Sequence, residues 1–199
     1  MKIGLFGGTF NPPHLGHTKI ASTFYKASGV DLLVVMPAFI SPNKKQFQIE
    51  EIHRLEMTKI AFLKLGEMGI NYTVSDYEIK KQGVSYTIDS VYALEALYNT
   101  KDISMCIGSD MLYSFEKWKS FDILLNKCHI FTMAREYEET DKLMCECERL
   151  KNIYNARITL IDNSVFPSSS TDIRAGVKES ITKLDDNVRV YIEKHGLYK

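Results

Sequence analysis

Apolar residues in this chain follow two alternating patterns. Short unbroken runs such as Leu32-Leu33-Val34-Val35-Met36 have the length and continuity of strands buried on both faces. Elsewhere apolar residues recur at spacings of one, three and four, as in Ile20, Ala21, Phe24 and Ala27 before Gly29, which marks one face of a helix and its stop. The patterns predict strands near 2–6, 31–36, 72–76, 103–107, 128–133 and 157–161. They predict helices near 15–28, 50–65, 87–98, 120–126, 137–150, 171–179 and 184–194. Alternation of the two implies right-handed βαβ units. The expected fold class is therefore α/β: a doubly wound, mostly parallel sheet with helices on both faces. Ligands of such sheets bind at the carboxyl ends of the strands, near the point where strand order reverses.

Chemistry concentrates at two of those places. The first strand, Lys2-Ile3-Gly4-Leu5-Phe6, runs into Gly7–His17, which reads GGTFNPPHLGH. A glycine-containing turn between strand and helix lets backbone N–H groups approach an anion, and the helix start adds partial positive charge. His14 and His17 are three apart and point at the same place if the helix begins there. The site offers phosphate oxygens amides and imidazoles, with no nucleophile. That suits nucleotidyl transfer, where a phosphate oxygen attacks and pyrophosphate leaves, so the protein mainly aligns and neutralises two anions. Neither GxGxxG nor a P-loop ending in GK[ST] is present. The alternative is a tight turn carrying two solvated histidines.

The second place is Ser168-Ser169-Ser170-Thr171, followed by Asp172 and Arg174. One hydroxyl suffices to cap a helix. The surplus hydroxyls and exposed amides make a second phosphate site, to which Arg174 adds a two-pronged charged donor.

Composition narrows the function classes. Of 199 residues, 45% are hydrophobic, and 25 basic side chains balance 25 acidic ones. That length gives one domain, or one with a small appendage, and enough apolar material for a sizeable core. Zero formal charge gives no support for nucleic acid or a membrane surface as partner, so anionic substrates must be held locally. No run approaches the ~20 apolar residues of a membrane span. Met1-Lys2 leads straight into the first strand, leaving no room for a signal peptide, so a cytoplasmic location is expected. Cys106 and Cys128 fall in strand-like runs and read as buried, inert thiols. Cys145 and Cys147 lie in a charged helical segment without a second pair to complete a zinc pattern.

The residues resemble a known family at this point. GTFNPPHLGH resembles the HxGH signature of the nucleotidyltransferase superfamily, and Ser169-Ser170-Thr171-Asp172-Ile173-Arg174 resembles its second signature, [I/V]S[S/T]TxIR, in the expected order. Across nearly its whole length the chain is similar to the bacterial nicotinate-nucleotide adenylyltransferase family. Supporting segments are Ser85-Tyr86-Thr87, Ile107-Gly108-Ser109-Asp110-Met111, Lys117-Trp118 and the ending Tyr191–Tyr198. The resemblance implies a Rossmann-like nucleotidyltransferase fold as one domain over 1–199, its segment from about 168 carrying the second phosphate motif. It implies catalytic roles for His14, His17 and Arg174. It implies an ATP site of Gly7, Gly8, Thr9, Phe10, His14, His17, Lys44, Gly108, Asp110, Ser169, Ser170, Thr171, Ile173 and Arg174. A nicotinate-nucleotide site is implied at Tyr86, Thr87, Asp110, Trp118 and Arg135.

Several of these residues have a plainer reading. Asp110 and Ser85-Tyr86-Thr87 each open a helical pattern and serve equally as caps. A lone tryptophan such as Trp118 belongs to a core as readily as to a stacking site. Arg54, in the first turn of a predicted helix, reads as a phosphate ligand or as a surface charge. His129 and His195 have no partner pattern and read as structural or solvated. The loop Pro37–Lys44 departs from the family form PNxxPPHK at Ala38, Ser41 and Asn43, keeping Lys44; after Arg135 the usual Pro-Gly is missing.

The implied reaction joins ATP and nicotinate mononucleotide into deamido-NAD and pyrophosphate, within NAD biosynthesis. Mg²⁺ is expected with the triphosphate, held by phosphates and water because no carboxylate cage is evident. Rival acceptors are nicotinamide mononucleotide and other phosphorylated compounds. Phosphopantetheine adenylyltransferase and the cytidylyltransferases share the first motif but lack the Ser85-Tyr86-Thr87 and Trp118 context. A non-catalytic nucleotide-binding module is the rival of another class. The sequence leaves a homo-oligomer open.

Overall fold

The computed structural model describes residues 1–42, 49–134, 136–161, 169–176 and 181–198. Among them, six strands form one parallel sheet in the order β3-β2-β1-β4-β5-β6. These are β1 (Ile3–Gly8), β2 (Leu32–Pro37), β3 (Tyr72–Val74), β4 (Ile103–Gly108), β5 (Cys128–Met133) and β6 (Arg157–Leu160). All pairings are parallel. The chain winds outward from β1 to β3, returns, and winds outward from β4 to β6. Strand order therefore reverses between β1 and β4, as expected of a doubly wound sheet.

Both faces are covered, which is why the strands read as continuous apolar runs. Ile3 and Leu5 of β1, Val34 and Met36 of β2, and Ile103, Met105 and Ile107 of β4 enter one core. There they meet Val91 and Leu94 of α4 (Thr87–Tyr98), Leu124 of α6 (Phe121–Lys127), and Leu143 and Leu150 of α7 (Thr140–Tyr154). The alternate residues Phe6, Leu33, Val35 and Cys106 enter the other core. They meet Ala21 and Phe24 of α1 (Leu15–Ser28), Met57, Ala61 and Phe62 of α2 (Glu51–Glu67), and Val188 of α9 (Asp186–His195). Helix α1 ends where the pattern placed its stop, with Gly29 left-handed at φ 62°.

Two short helices were not evident from spacing: α3 (Tyr77–Lys81) and α5 (Ser109–Tyr113). Each is a single turn, too short to show a 3.6-residue period. The segment expected as one helix near 171–179 is the short α8 (Ser170–Arg174), and 177–180 lie outside the described residues. No described helix is long and apolar enough to cross a membrane. Cys106, Cys128 and Cys147 are buried and free, and Cys145 is exposed. Burial pushes the Cys128 thiol up to about 12. Among the described residues no cysteine is paired.

Helix α9 is tied to α2 by one buried carboxylate. The Asp185 side chain caps α9 by accepting from the Asn187 N–H at 2.9 Å, and it meets Lys64 of α2 at 2.7 Å. Burial raises its pKa, but Lys64 and the Asn187 and Val188 amides outweigh that and hold it below 3.8. Replacing Asp185 with Ala should cost about 0.5–2 kcal/mol, the range for losing an N-cap. A depressed carboxylate stabilises the fold above its unfolded pKa, and that contribution is lost as pH falls through the folded one. The gap in melting temperature between wild type and Asp185→Ala should therefore be full at neutral pH and shrink as pH falls below the ordinary aspartate range.

Candidate active site

The two central strands part at their carboxyl ends. Their ladder runs Ile3–Ile103, Gly4–Ser104, Leu5–Met105 and stops there. Both strands continue, to Gly8 and to Gly108, while β1 stays paired to β2 through Gly8 and Pro37. The crevice so formed is lined by the turn after β1 and by the start of α5.

The turn after β1 is held by an aromatic cluster. Phe10 is fully buried and takes φ 45°, a left-handed conformation that costs about 1–2 kcal/mol outside glycine. Its ring lies edge-on to His17 and Phe62, with centroids 5.2 and 5.5 Å away. It also covers Gly8, where an added Cβ would sit 2.8 Å from the ring. The glycine is thus required because a neighbouring side chain fills the space of its own.

Helix α1 begins at Leu15, with His14 as its N-cap. The two imidazoles come together as the spacing requires, with centroids 3.7 Å apart. The His14 backbone N–H donates to His17 Nδ1 at 3.2 Å, a return contact of the capping-box kind. With Nδ1 accepting, the proton of a neutral His17 ring sits on Nε2. The helix start is also tied to the C-terminal segment, since the Leu15 N–H donates to the Lys183 carbonyl at 2.9 Å.

The two signature segments, over 150 residues apart in sequence, meet here. Arg174 Nη1 donates to the Asn11 carbonyl at 2.6 Å, and Ser170 Oγ donates to the Pro12 carbonyl at 2.9 Å. Arg174 Nη2 reaches Thr171 Oγ1 at 3.1 Å. Ser169 is the residue that caps α8, accepting from the Thr171 and Asp172 amides. Ile173 is buried beneath them in the second core. Asn11, itself buried, also accepts from the Tyr198 hydroxyl through Oδ1. Burial pushes the Tyr198 hydroxyl well above the usual tyrosine range, against the pull of Arg174 and Arg54.

On the other side of the crevice, Gly108 takes the N-cap position of α5 and Ser109 donates to Glu139 at 3.0 Å. Asp110 is exposed at the second position of that helix and is not its cap. Tyr86 is the N-cap of α4 and Thr87 its first residue. Neither Tyr86 nor Gly108 makes a side-chain cap. Lys119 sits over the Tyr86 ring, its ammonium 4.3 Å from the centroid. Trp118 is half-buried, tilted against Phe115 at 4.8 Å, and packs on the same core as Tyr86. Its Nε1 is buried without a hydrogen-bond partner among the described residues.

Arg54 corrects the sequence reading. It is not a surface charge, being 1% accessible. Its guanidinium donates to three carbonyls: Thr9 at 3.0 Å, Ala38 at 2.5 Å and Phe39 at 2.9 Å. Nothing in the local sequence distinguishes this from a surface arginine. Asn11, Lys119 and Tyr198 were also missed, because each gains its role only from chain distant in sequence. Lys44, Arg135 and Ser168 lie outside the described residues. His129 is structural, with Nε2 2.8 Å from Thr159 Oγ1; burial and Arg157 lower its pKa. His195 lies against Tyr191 and His53, at 4.3 and 5.1 Å.

A sheet whose central strands part over a glycine turn, a histidine pair and an arginine is built to hold polyphosphates. Residues 5–176 match the cytidylyltransferase-like family, which sets the class as a nucleotidyltransferase. A probable nicotinate-nucleotide adenylyltransferase of Lachnoclostridium phytofermentans is 31% identical, over 99% of this chain and 98% of that protein. Another, of Carboxydothermus hydrogenoformans, is 32% identical over 100% and 98%. The chain belongs to the nicotinate-nucleotide adenylyltransferase family. The fold is that of Plasmodium falciparum nicotinic acid mononucleotide adenylyltransferase complexed with NaAD, at TM-score 0.75 and 16% identity over 99% and 97% of the chains.

The packing of Gly8 is directly testable. In Gly8→Ala the methyl must displace a ring wedged between His17, Phe6 and Phe62. A stability loss of about 1–3 kcal/mol is expected for such overpacking, with at least tenfold slower nucleotidyl transfer because His17 moves with Phe10. Thermal denaturation and a turnover assay read the two effects.

Proposed function

We propose that this chain transfers the adenylyl group of ATP to nicotinate mononucleotide, releasing pyrophosphate and forming deamido-NAD. The observation that carries this reading is the junction of the two signature segments, through Arg174 to Asn11 and Ser170 to Pro12, at the parted ends of β1 and β4. The family membership supplies the acceptor.

An oxygen of the acceptor phosphate attacks the α-phosphorus of ATP. The bond from that phosphorus to the bridging oxygen breaks, and pyrophosphate departs with the bonding pair. Attacking and leaving groups are both anions, so alignment and charge neutralisation dominate the barrier. His14 and His17 donate to phosphate oxygens as they turn negative, with the backbone of Gly7, Gly8, Thr9 and Phe10 beside them. Arg174, Ser169, Ser170 and Thr171 hold the triphosphate from the opposite side, over Ile173. Gly108 and Asp110 line the nucleoside end. Tyr86, Thr87 and Trp118 receive the pyridine ring and its carboxylate, with Asp110 toward the ribose. Lys44 and Arg135 add charge to the ATP and acceptor sites respectively. All of this falls within one nucleotidyltransferase domain over 1–199.

Mg²⁺ is proposed to arrive with ATP. Among the described residues no group of three or more His, Cys, Asp or Glu could hold a metal. The donors gathered here are imidazole, hydroxyl, amide and guanidinium, which fit phosphate oxygens and not a cation. Bound to the triphosphate, the ion would spread its charge; the protein would hold the phosphates.

Acceptor choice tests the reading. Tyr86 and Thr87 lie at the start of a twelve-residue helix, where an anion is favoured. Lys119 adds a cation over the Tyr86 ring. An amide in place of the carboxylate would turn its NH₂ toward donors, costing about 1–3 kcal/mol. Pyrophosphate release with ATP and a panel of acceptors should therefore show at least tenfold higher kcat/KM for nicotinate than for nicotinamide mononucleotide. Thr87→Val and Trp118→Ala should narrow that gap. Equal efficiency would make the enzyme one of dual specificity, and no release with any acceptor would leave a nucleotide-binding module.

Arg174→Lys gives a separate check on the phosphate side. A lysine keeps the charge but loses the fork that holds Asn11 and Thr171 together. ATP should bind at least several-fold more weakly and turnover should fall. Binding and turnover equal to wild type would remove Arg174 from the site.

A further inference from the structure

Arg54 links more than the turn after β1. Its three acceptors belong to two loops, Thr9 after β1, and Ala38 and Phe39 after β2. Those loops are also joined directly, by the Ala38 N–H donating to the Gly8 carbonyl at 2.9 Å. The chain of bonds continues from Phe39. Its N–H donates to Ser85 Oγ at 2.9 Å, while the Ser85 N–H donates to the Ile40 carbonyl at 2.8 Å. Ser85 immediately precedes Tyr86 and Thr87.

We propose that Arg54 and Ser85, joined through Phe39, form a relay that sets the phosphate turn after β1 and the acceptor-binding start of α4 in register, with Arg54 as its positioning residue. The relay runs from Thr9 through Arg54 and Phe39 to Ser85. Each link is a hydrogen bond, and the Arg54 end is shielded from water, where such bonds are stronger. A guanidinium is suited to the central place, because its rigid fork can bind carbonyls from two loops at once while a lysine ammonium offers no fixed geometry. Adenylyl transfer between two separately bound anions needs their oxygen and phosphorus aligned closely, and a misplacement near 1 Å costs about a hundredfold in rate. A shared frame supplies that alignment without touching either substrate.

The inference rests on the proposed ATP and acceptor sites, and its test is run on the ATP side alone. Calorimetry with Mg²⁺–ATP and no acceptor would compare wild type, Ser85→Ala, Arg54→Lys and the double variant. Ser85 lies on the acceptor segment, yet Ser85→Ala should weaken ATP binding threefold to tenfold. Arg54→Lys should weaken it at least as much, and the double variant no more than Arg54→Lys alone, since both cut one chain. A merely structural role would lower the melting temperature of each variant and leave ATP affinity unmoved. If Arg54→Lys does not fold, Ser85→Ala decides alone, its ATP affinity read against its melting temperature. Wild-type ATP affinity in Ser85→Ala, or independent effects in the double variant, would overturn the relay. Failure of the wild-type chain to bind ATP would overturn the phosphate-site assignment and the relay with it.

Discussion

The parting of β1 from β4 is the constraint on which the site depends. In a parallel sheet every strand ends at the same edge, so every following turn opens there. Where strand order reverses, the chains leaving neighbouring strands go to opposite faces and nothing bridges them. Here the ladder ends at Leu5 and Met105, while β1 and β4 run on to Gly8 and Gly108. Phe6 and Cys106, past the last rung, are still anchored in the core around Phe24 and Phe131. The crevice therefore has rigid walls. Its lining comes from segments that need no side-chain bulk at the strand ends, Gly7-Gly8 on one side and Gly108 on the other.

A chain with no net charge must concentrate its cations where anions bind. His14, His17 and Arg174 converge from opposite ends of the sequence, and the Asn11 carbonyl is the acceptor that fixes Arg174 there. Arg54 shows a different use of the same charge. Buried among the carbonyls of Thr9, Ala38 and Phe39, it satisfies acceptors that face one another across two loops. Burial pushes its pKa down, while Glu51, Tyr198 and Glu78 oppose that. A buried guanidinium needs acceptors close by, and the chain leaving β1 and β2 brings three carbonyls to its two Nη atoms.

Strain at Phe10 is offset in the same region. The left-handed backbone there turns the chain out of β1 toward His14. Phe6, Phe62 and the edge of His17 enclose the ring, so the aromatic packing that stabilises the turn also orients the imidazole. Core and site are not separable at this position, and Gly8 is the residue that makes room for both.

Much of this was legible in the residues alone. Apolar runs located all six described strands, most plainly β2, whose burial on both faces leaves no polar position to interrupt it. The longer helices followed from spacing and from stops such as Gly29. The histidine pair and the serine-rich segment were recognisable because their chemistry is local: three-residue spacing at a helix start, and hydroxyls at a cap. What the tertiary structure decided are the roles that arise between distant segments. Arg54 looks like any first-turn arginine until Ala38 and Phe39 are folded over it. Asn11 becomes a clamp only when Tyr198 and Arg174 arrive from the far end of the chain. Lys119 matters through the ring of Tyr86, and Ser85 through the backbone of Phe39. Periodicity and local motifs record what a residue does within a few positions of itself. Hydrogen bonds between loops leave no such trace, since they depend on where the sheet sets the loops down.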